Sequence, residues 1–348
     1  MMLLSPVTIV PWGLDNTEAQ LCRRMPVLRR VRSSPFRRLT IQLLTTSKEN
    51  FMPAITPFLW FDKEAKDAAE SYAKLFKGST IKSVTTLQHT PSGGVEIVNL
   101  ELAGQPFTFM SAGPLFKINP AVSFLVACPN KDEVDRLWGE LSKGGSALME
   151  LGQYPWSERY GWIQDRYGVS WQVMFTGDRP IQQTITPTLM FVGEQCGRAE
   201  EAINFYSSVF DDAKVDHIVR YGKGEAPDKE GTVKHAVFTL EGEQFAIMDS
   251  AHPHRFTFNE AISFVVPCDT QEEIDHYWGK LSANPQAEQC GWLKDKFGLS
   301  WQIVPRIMEQ MLRDKKRAGR VTQAFLKMKK FDIAKLKEAY EQEDQVSA

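Results

Sequence analysis

The stretch GWIQDRYGVSWQVMF (residues 161–175) returns 130 positions later as GWLKDKFGLSWQIVP (residues 291–305). Seven of the fifteen positions are identical, including both tryptophans and the Asp-x-x-Gly-x-Ser-Trp-Gln core. Working outward, ITPFLWFD at Ile55 recurs as ITPTLMFV at Ile185, and AAESYAKLF (68–76) as AEEAINFYSSVF (199–210). LELAGQPFTFM (100–110) recurs as FTLEGEQFAIM (238–248), and AVSFLVACPNKDEVDRLWGELS (121–142) as AISFVVPCDTQEEIDHYWGKLS (261–282). The segment order is the same in both halves, and only loop lengths differ. This is duplication of a whole domain of roughly 120 residues, well above the periods of solenoid repeats.

Within one half two periodicities alternate. ITPFLWF, TIKSVTTL, VEIVNLEL, QPFTFM, AVSFLVAC and VSWQVMF are short β-branched or aromatic runs bounded by Gly, Pro or Asp, which predicts strands. KEAKDAAESYAKLFK and NKDEVDRLWGELSKGG place apolar residues at i, i+3, i+4 and i+7, which predicts amphipathic helices. Asn130 and Asp269 stand where N-caps belong and Gly144 where a C-cap belongs. Each half therefore reads as two β-α-β-β-β units, the second with two or three strands after its helix. After Pro305 the pattern is helical to the end, its basic residues reading as the solvated face of a terminal tail.

The chain has 348 residues, 43% hydrophobic and 24% charged, enough for two ordinary soluble domains. A formal net charge of −2 gives no reason to expect nucleic acid as a partner, and no apolar run is long enough to span a membrane. The five cysteines (22, 128, 196, 268 and 290) form no C-x-x-C pair, so reduced structural thiols are expected. Residues 19–48 contain no Asp or Glu but seven arginines interleaved with Ser and Thr. Two readings stand: a mitochondrial presequence, placing the protein in the matrix, or a true start at Met52, placing it in the cytoplasm. In both, residues 1–51 are an extension outside the fold. The remainder divides into a first domain over 53–178, a second over 183–306 and a helical tail over 307–348.

TPFLWFD before an AAExYAxLF helix, NEAISFVVPCDTQEEIDHYWGKLS and GWLKDKFGLSWQIVP together resemble the PhnB-like branch of the vicinal-oxygen-chelate superfamily. That superfamily includes glyoxalase I, bleomycin-resistance proteins and extradiol dioxygenases, and this branch carries the label 3-demethylubiquinone-9 3-methyltransferase. The resemblance covers residues 53–306 twice over. It implies an α+β fold of two tandem domains, each of paired β-α-β-β-β modules forming a cupped sheet around a cavity. It also implies pairing of the two domains within one chain, with a homodimer as a further option. Metal-dependent relatives take a His from the first strand of a module and a Glu from the last. Here the glutamate position is Gln172 in one half and Gln302 in the other, and the first strands offer no His. A neutral amide brings only a dipole to a divalent cation.

The ligand-binding candidates are Ser123, Gln172, Asp249, Ser263 and Gln302. For a divalent metal the candidates are Asp249, His252 and His254, all in the second half, whereas the first half has Ser111 and Ala112 there. The loop around Pro253 reads more readily as a polar turn, so no cofactor is assigned. His235 reads as a strand histidine, and Cys128 and Cys268 as core thiols. The tryptophans supply core and some pocket wall. The leading expectation is a small-molecule-binding protein, with metal-assisted chemistry on vicinal oxygens favoured in the second half. The alternative is non-catalytic sequestration, with Gln172 and Gln302 bonding a ligand. Methyl transfer comes third, because Gly93-Gly94, Gly144-Gly145 and Gly222-x-Gly224 do not form a G-x-G-x-G cofactor turn.

Overall fold

A computed structural model describes residues 55–90 and 93–342, so the N-terminal extension lies outside the described residues. The first repeat runs β1 (Thr56–Phe61), α1 (Ala65–Leu75), β2 (Thr80–Thr90), β3 (Gly93–Leu102) and β4 (Gln105–Ser111). It continues with β5 (Val122–Cys128), α2 (Lys131–Leu141), β6 (Ser146–Tyr154), β7 (Ser157–Gln164) and β8 (Ser170–Phe175). The second repeat runs β9 (Ile185–Val192), α3 (Ala199–Val209), β10 (Lys214–Arg220), β11 (Val233–Leu240) and β12 (Glu243–Ser250). It closes with β13 (Ile262–Cys268), α4 (Gln271–Leu281), β14 (Trp292–Lys294) and β15 (Ser300–Pro305), followed by α5 (Ile307–Arg313), α6 (Ala318–Phe325) and α7 (Ile333–Glu341). No helix among the described residues is long and apolar enough to cross a membrane.

The two sheets do not follow the two repeats. Sheet A has the order β14-β15-β13-β1-β4-β3-β2, and sheet B the order β10-β11-β12-β9-β5-β8-β7-β6. Each therefore joins the first module of one repeat to the second module of the other. The joints are antiparallel and equivalent: Phe58 pairs with Ser263, and Thr188 with Ser123. Asn119 Nδ2 donates to Thr257 O at 3.0 Å and Asn259 Nδ2 to Lys117 O at 2.9 Å, a reciprocal contact of the kind a two-fold axis produces. The repeats thus pair within the chain. A cupped sheet in each half is replaced by two cups that each need both halves.

What belongs to one repeat is the aromatic core behind the sheets. In the first repeat Trp171 is fully buried among Tyr72, Phe76 and Phe124, with ring centroids 5.0–5.4 Å apart. In the second, Trp301 packs likewise on Tyr206, Phe210 and Phe264. Such pairs add about 0.5–1.5 kcal/mol each beyond area burial. At the centre lies the aspartate of the repeated phrase. Asp165 Oδ2 accepts from Tyr72 Oη at 2.6 Å and Trp171 Nε1 at 2.9 Å, while Oδ1 accepts from the Tyr167 and Val169 N–H groups. Asp295 repeats all four bonds with Tyr206, Trp301, Phe297 and Leu299. Gly168 and Gly298 allow the turn, having φ of 86° and 85°, where a side chain is strained. Burial raises both carboxyls above the usual range, opposed by the bonds they accept.

The sequence reading needs one adjustment, at a helix cap. The N-cap of α4 is Thr270, in a capping box with Glu273, one residue beyond Asp269, whereas Asn130 does cap α2. The fourth module has two strands after its helix, because the second repeat is ten residues shorter between the helix and its Gly-Trp. The tail is helical with most of its basic residues exposed, as read, and it also packs on sheet A. The N–H groups of Cys290 and Gly291 donate to Met328 and Lys329 carbonyls beside β14, while α6 packs against β2 at the other edge of sheet A. The tail thus ties the two edges together and protects β14, a short edge strand. Gly291, at φ 84°, leaves room for Phe331 of this tail, and its counterpart Gly161 leaves room for Trp138 of α2.

Two predictions follow from these buried acids. Tyr72→Phe should lower the urea-unfolding free energy by about 1.5–3 kcal/mol, the weight of a bond to a buried carboxylate, and Asp165→Ala by more. Burial also pushes the Glu243 carboxyl up to about 7 from 4.5. Its contribution to stability is fully present below pH 4.5 and is lost as pH rises through 7. Glu243→Gln should therefore match the parent in urea melts at pH 4 and exceed it by roughly 1–2 kcal/mol at pH 8, a figure discounted for partial exposure.

Candidate functional site

Alternation along each strand sends one set of side chains into the core and the other onto the opposite, concave face. In sheet A that face gathers Phe58, Val95, Met110 and Ala112, with Trp60, Val265 and Trp292 packed beside them. Trp292, on the edge strand β14, lies 5.5 Å from Phe58 and 6.2 Å from Trp60, ring to ring. Trp292 and Phe58 are three strands apart, about 14 Å in a flat sheet, so the sheet curls. In sheet B the corresponding face gathers Leu125, Met149, Met174, Met190 and Met248 with Trp156, Tyr160 and Trp162.

The repeated glutamines lie on these faces, each tied to the serine of the neighbouring strand. Gln172 Nε2 donates to Ser123 Oγ at 2.8 Å, and Gln302 Nε2 donates to Ser263 Oγ at 2.9 Å. Four of the five ligand-binding candidates thus come together in pairs, one pair per cup. Ser123, Gln172, Ser263 and Gln302 are all nearly buried.

The surroundings of the pairs differ. In sheet B Tyr160 Oη donates to Gln172 Oε1 at 2.8 Å, and Trp162 Nε1 donates to Ser170 Oγ at 2.7 Å. Desolvation raises the Tyr160 phenol, keeping it a donor. Trp156 Nε1, in the same cluster, is buried without an acceptor among the described residues. His217 Nε2 stands 3.3 Å from His235 Nδ1, and burial lowers both rings below the usual histidine range. His235 is thus a strand histidine held neutral by its surroundings. In sheet A the place of Tyr160 falls to Cys290, which sits at φ 51° in a turn and points its thiol at Phe325 O, 3.6 Å away.

Asp249, the fifth candidate, is elsewhere. It shares a strand face with Phe245 and Ile247, on the helix side of sheet B. Its Oδ1 accepts from Gly197 N and Ala199 N at 2.7 and 3.1 Å, and its Oδ2 from Val233 N at 3.0 Å. It satisfies the first N–H groups of α3, as Ser111 Oγ does for Ala65 at the start of α1. Desolvation raises its carboxyl, opposed by those three bonds. His254 bonds Ser250 Oγ at 2.9 Å, and the His252 and His254 rings sit 6.3 Å apart at 64°, so they do not converge with Asp249. His252 Nε2 instead lies 3.8 Å from Asp228 Oδ2.

These residues do not fit a metal centre of the kind the resemblance implies. The two glutamine amides are neutral and engaged with serine, and the Asp249 carboxylate is filled by backbone donors. Among the described residues no three or more His, Cys, Asp or Glu side chains are grouped to hold an ion. Cys128 and Cys268 are core thiols, pushed up to about 12, chiefly by burial. Three contributors went unread in the sequence. Ser170 and Ser300 are identical letters of the repeated phrase, while Tyr160 stands one residue before it and has no counterpart in the second copy.

The two-repeat α+β architecture, with paired β-α-β-β-β modules and curled sheets, is the one that the sequence resemblance implied. The family model described as 3-demethylubiquinone-9 3-methyltransferase matches residues 53–174 and again 183–304. The chain belongs to that family, as a tandem PhnB-like member. A PhnB protein of Bacillus cereus bearing the same description is 34% identical over 34% of this chain and 97% of its own, at a TM-score of 0.33. A Pseudomonas aeruginosa protein is 24% identical over 35% of this chain and 96% of its own, at a TM-score of 0.31. Glyoxalase I of Zea mays spans both repeats, at 13% identity over 75% of this chain and 97% of its own, with a TM-score of 0.45. No curated protein matches.

Tyr160→Phe should strand the buried Gln172 Oε1 and lower stability by about 1–3 kcal/mol in urea titrations. Cys290→Ala, at the corresponding place in sheet A, should cost less than the tyrosine change.

Proposed function

We propose that this protein binds a small organic molecule on the concave face of a shared sheet, through an aromatic wall and the serine–glutamine pair, without a metal ion held by that pair. The observation that supports this most is the pair itself. In both cups a polar amide is anchored to a serine on a largely apolar face, the usual composition of a ligand site, and in sheet B Tyr160 also serves that amide. This favours binding or sequestration over metal-assisted chemistry. The preference for the second half also loses its basis, since each cup is built from both halves.

A second reading, metal-assisted chemistry, has one observation in its favour. His252 Nε2 and Asp228 Oδ2 are both buried without hydrogen-bond partners, 3.8 Å apart, in loops beside sheet B. The family description names a methyl transfer, and it stands third for want of a cofactor turn.

The apolar dye anilinonaphthalene sulfonate, excited by energy transfer from tryptophan, distinguishes these readings. The native chain should bind it saturably, Trp292→Ala should weaken binding severalfold, and added Zn²⁺, Ni²⁺ or Mn²⁺ should change nothing. Dye binding that appears only on unfolding would contradict the cup reading. A near-stoichiometric metal lost in His252→Ala would favour the second.

A further inference from the structure

In sheet B the acceptors of the repeated phrase are met from within the chain: Tyr160 Oη serves Gln172 and Trp162 Nε1 serves Ser170. In sheet A the same two acceptors lack those donors. Ser300 Oγ is fully buried and has no hydrogen-bond partner among the described residues. Gln302 is 6% exposed, and its one side-chain bond is the donation from Nε2 to Ser263, leaving Oε1 without a donor among the described residues. The reason lies in the chain path. The turn over 289–292 shortens the strand that would carry a tyrosine, and Trp292 turns its ring onto Phe58 and Trp60.

Ser300 Oγ is the atom buried unmet, whereas Gln302 Oε1 has no internal donor yet keeps enough access for a guest's donor to take the place of water. We infer that the concave face of sheet A binds a neutral hydroxylated aromatic molecule, a phenol, whose O–H donates to Gln302 Oε1 as Tyr160 does to Gln172 in sheet B. The inference rests on the cups being ligand sites and adds which cup is open and to what chemistry. Phe58, Trp60 and Trp292 offer ring edges and faces to an aromatic guest, the arrangement aromatic pairs prefer. An amide oxygen accepts from a phenol but receives nothing from a phenolate, so the neutral form is the one held. Sheet B, with its glutamine already served by Tyr160, makes no such demand.

The test uses the full chain with p-cresol, which carries the tyrosine side chain's hydroxyl, and 4-methylanisole, which has no proton to donate. Titration calorimetry or ligand-observed NMR should show p-cresol binding about tenfold more tightly, the discrimination of one hydrogen bond. Gln302→Leu should abolish that preference, Gln302→Glu, which keeps an acceptor, should retain it, and Gln172→Leu should leave it unchanged. Equal affinity for the two compounds, or a preference lost in Gln172→Leu instead, would overturn the assignment. If the dye still binds while both small aromatics bind equally, the cup reading survives and only the phenol assignment fails. If neither dye nor aromatic binds, the cup reading fails with it.

Discussion

A carboxyl group, buried and met by four N–H and O–H donors, sits at the centre of each repeat. Asp165 and Asp295 each tie together a tight glycine turn, the indole of the last strand and the phenol of a helix that lies behind the other sheet. Burial alone makes such a charge expensive, and the four bonds are what allow it to stay. Because the tyrosine comes from the first module and the turn from the second, this bond set holds the two modules of one repeat core to core. Their strand edges are then left to pair with the other repeat. The shared sheets follow from that division of labour.

Duplication within one chain has a second consequence. Two copies of a module in separate identical subunits must stay alike, whereas two copies in one chain can diverge. One place where they have diverged is the hairpin before the last strand. The first repeat keeps a full β6–β7 hairpin, whose Tyr160 and Trp162 fill sheet B. In the second repeat that segment is ten residues shorter and the tail lies beside it, leaving sheet A with an aromatic wall and a buried Ser300 hydroxyl without a partner among the described residues. The cups share a ground plan, and they differ in whether the glutamine oxygen meets a donor from the chain itself.

Much of this was legible in the sequence. The duplication, the alternation of strand and helix and the serine–glutamine positions are local or repetitive signals, and repetition removes ambiguity that a single copy would leave. Which strand pairs with which was not legible. The registers that place Phe58 opposite Ser263 and Ser123 opposite Thr188 join segments far apart in the chain, and either choice of partner would satisfy the same hydrophobic pattern. Asp249 misled for a related reason. A buried acid near two histidines looks like a ligand set, but strand parity turns it toward the helix, where it serves backbone N–H groups. The aspartate of the phrase went unread because its four donors come from both near and distant parts of the chain.

The central claim is that each cup is built from both repeats, and the pairing of β1 with β13 tests it most directly. Thr56 and Val265 are opposed in that antiparallel register. Opposed Cα atoms lie about 4.5–5.5 Å apart, within reach of a disulfide. After mild oxidation of Thr56→Cys/Val265→Cys, peptide mass mapping should find the two cysteines joined within a single chain in high yield. No bridge, or one formed only between two chains, would show that β1 pairs elsewhere and that the cups are not shared.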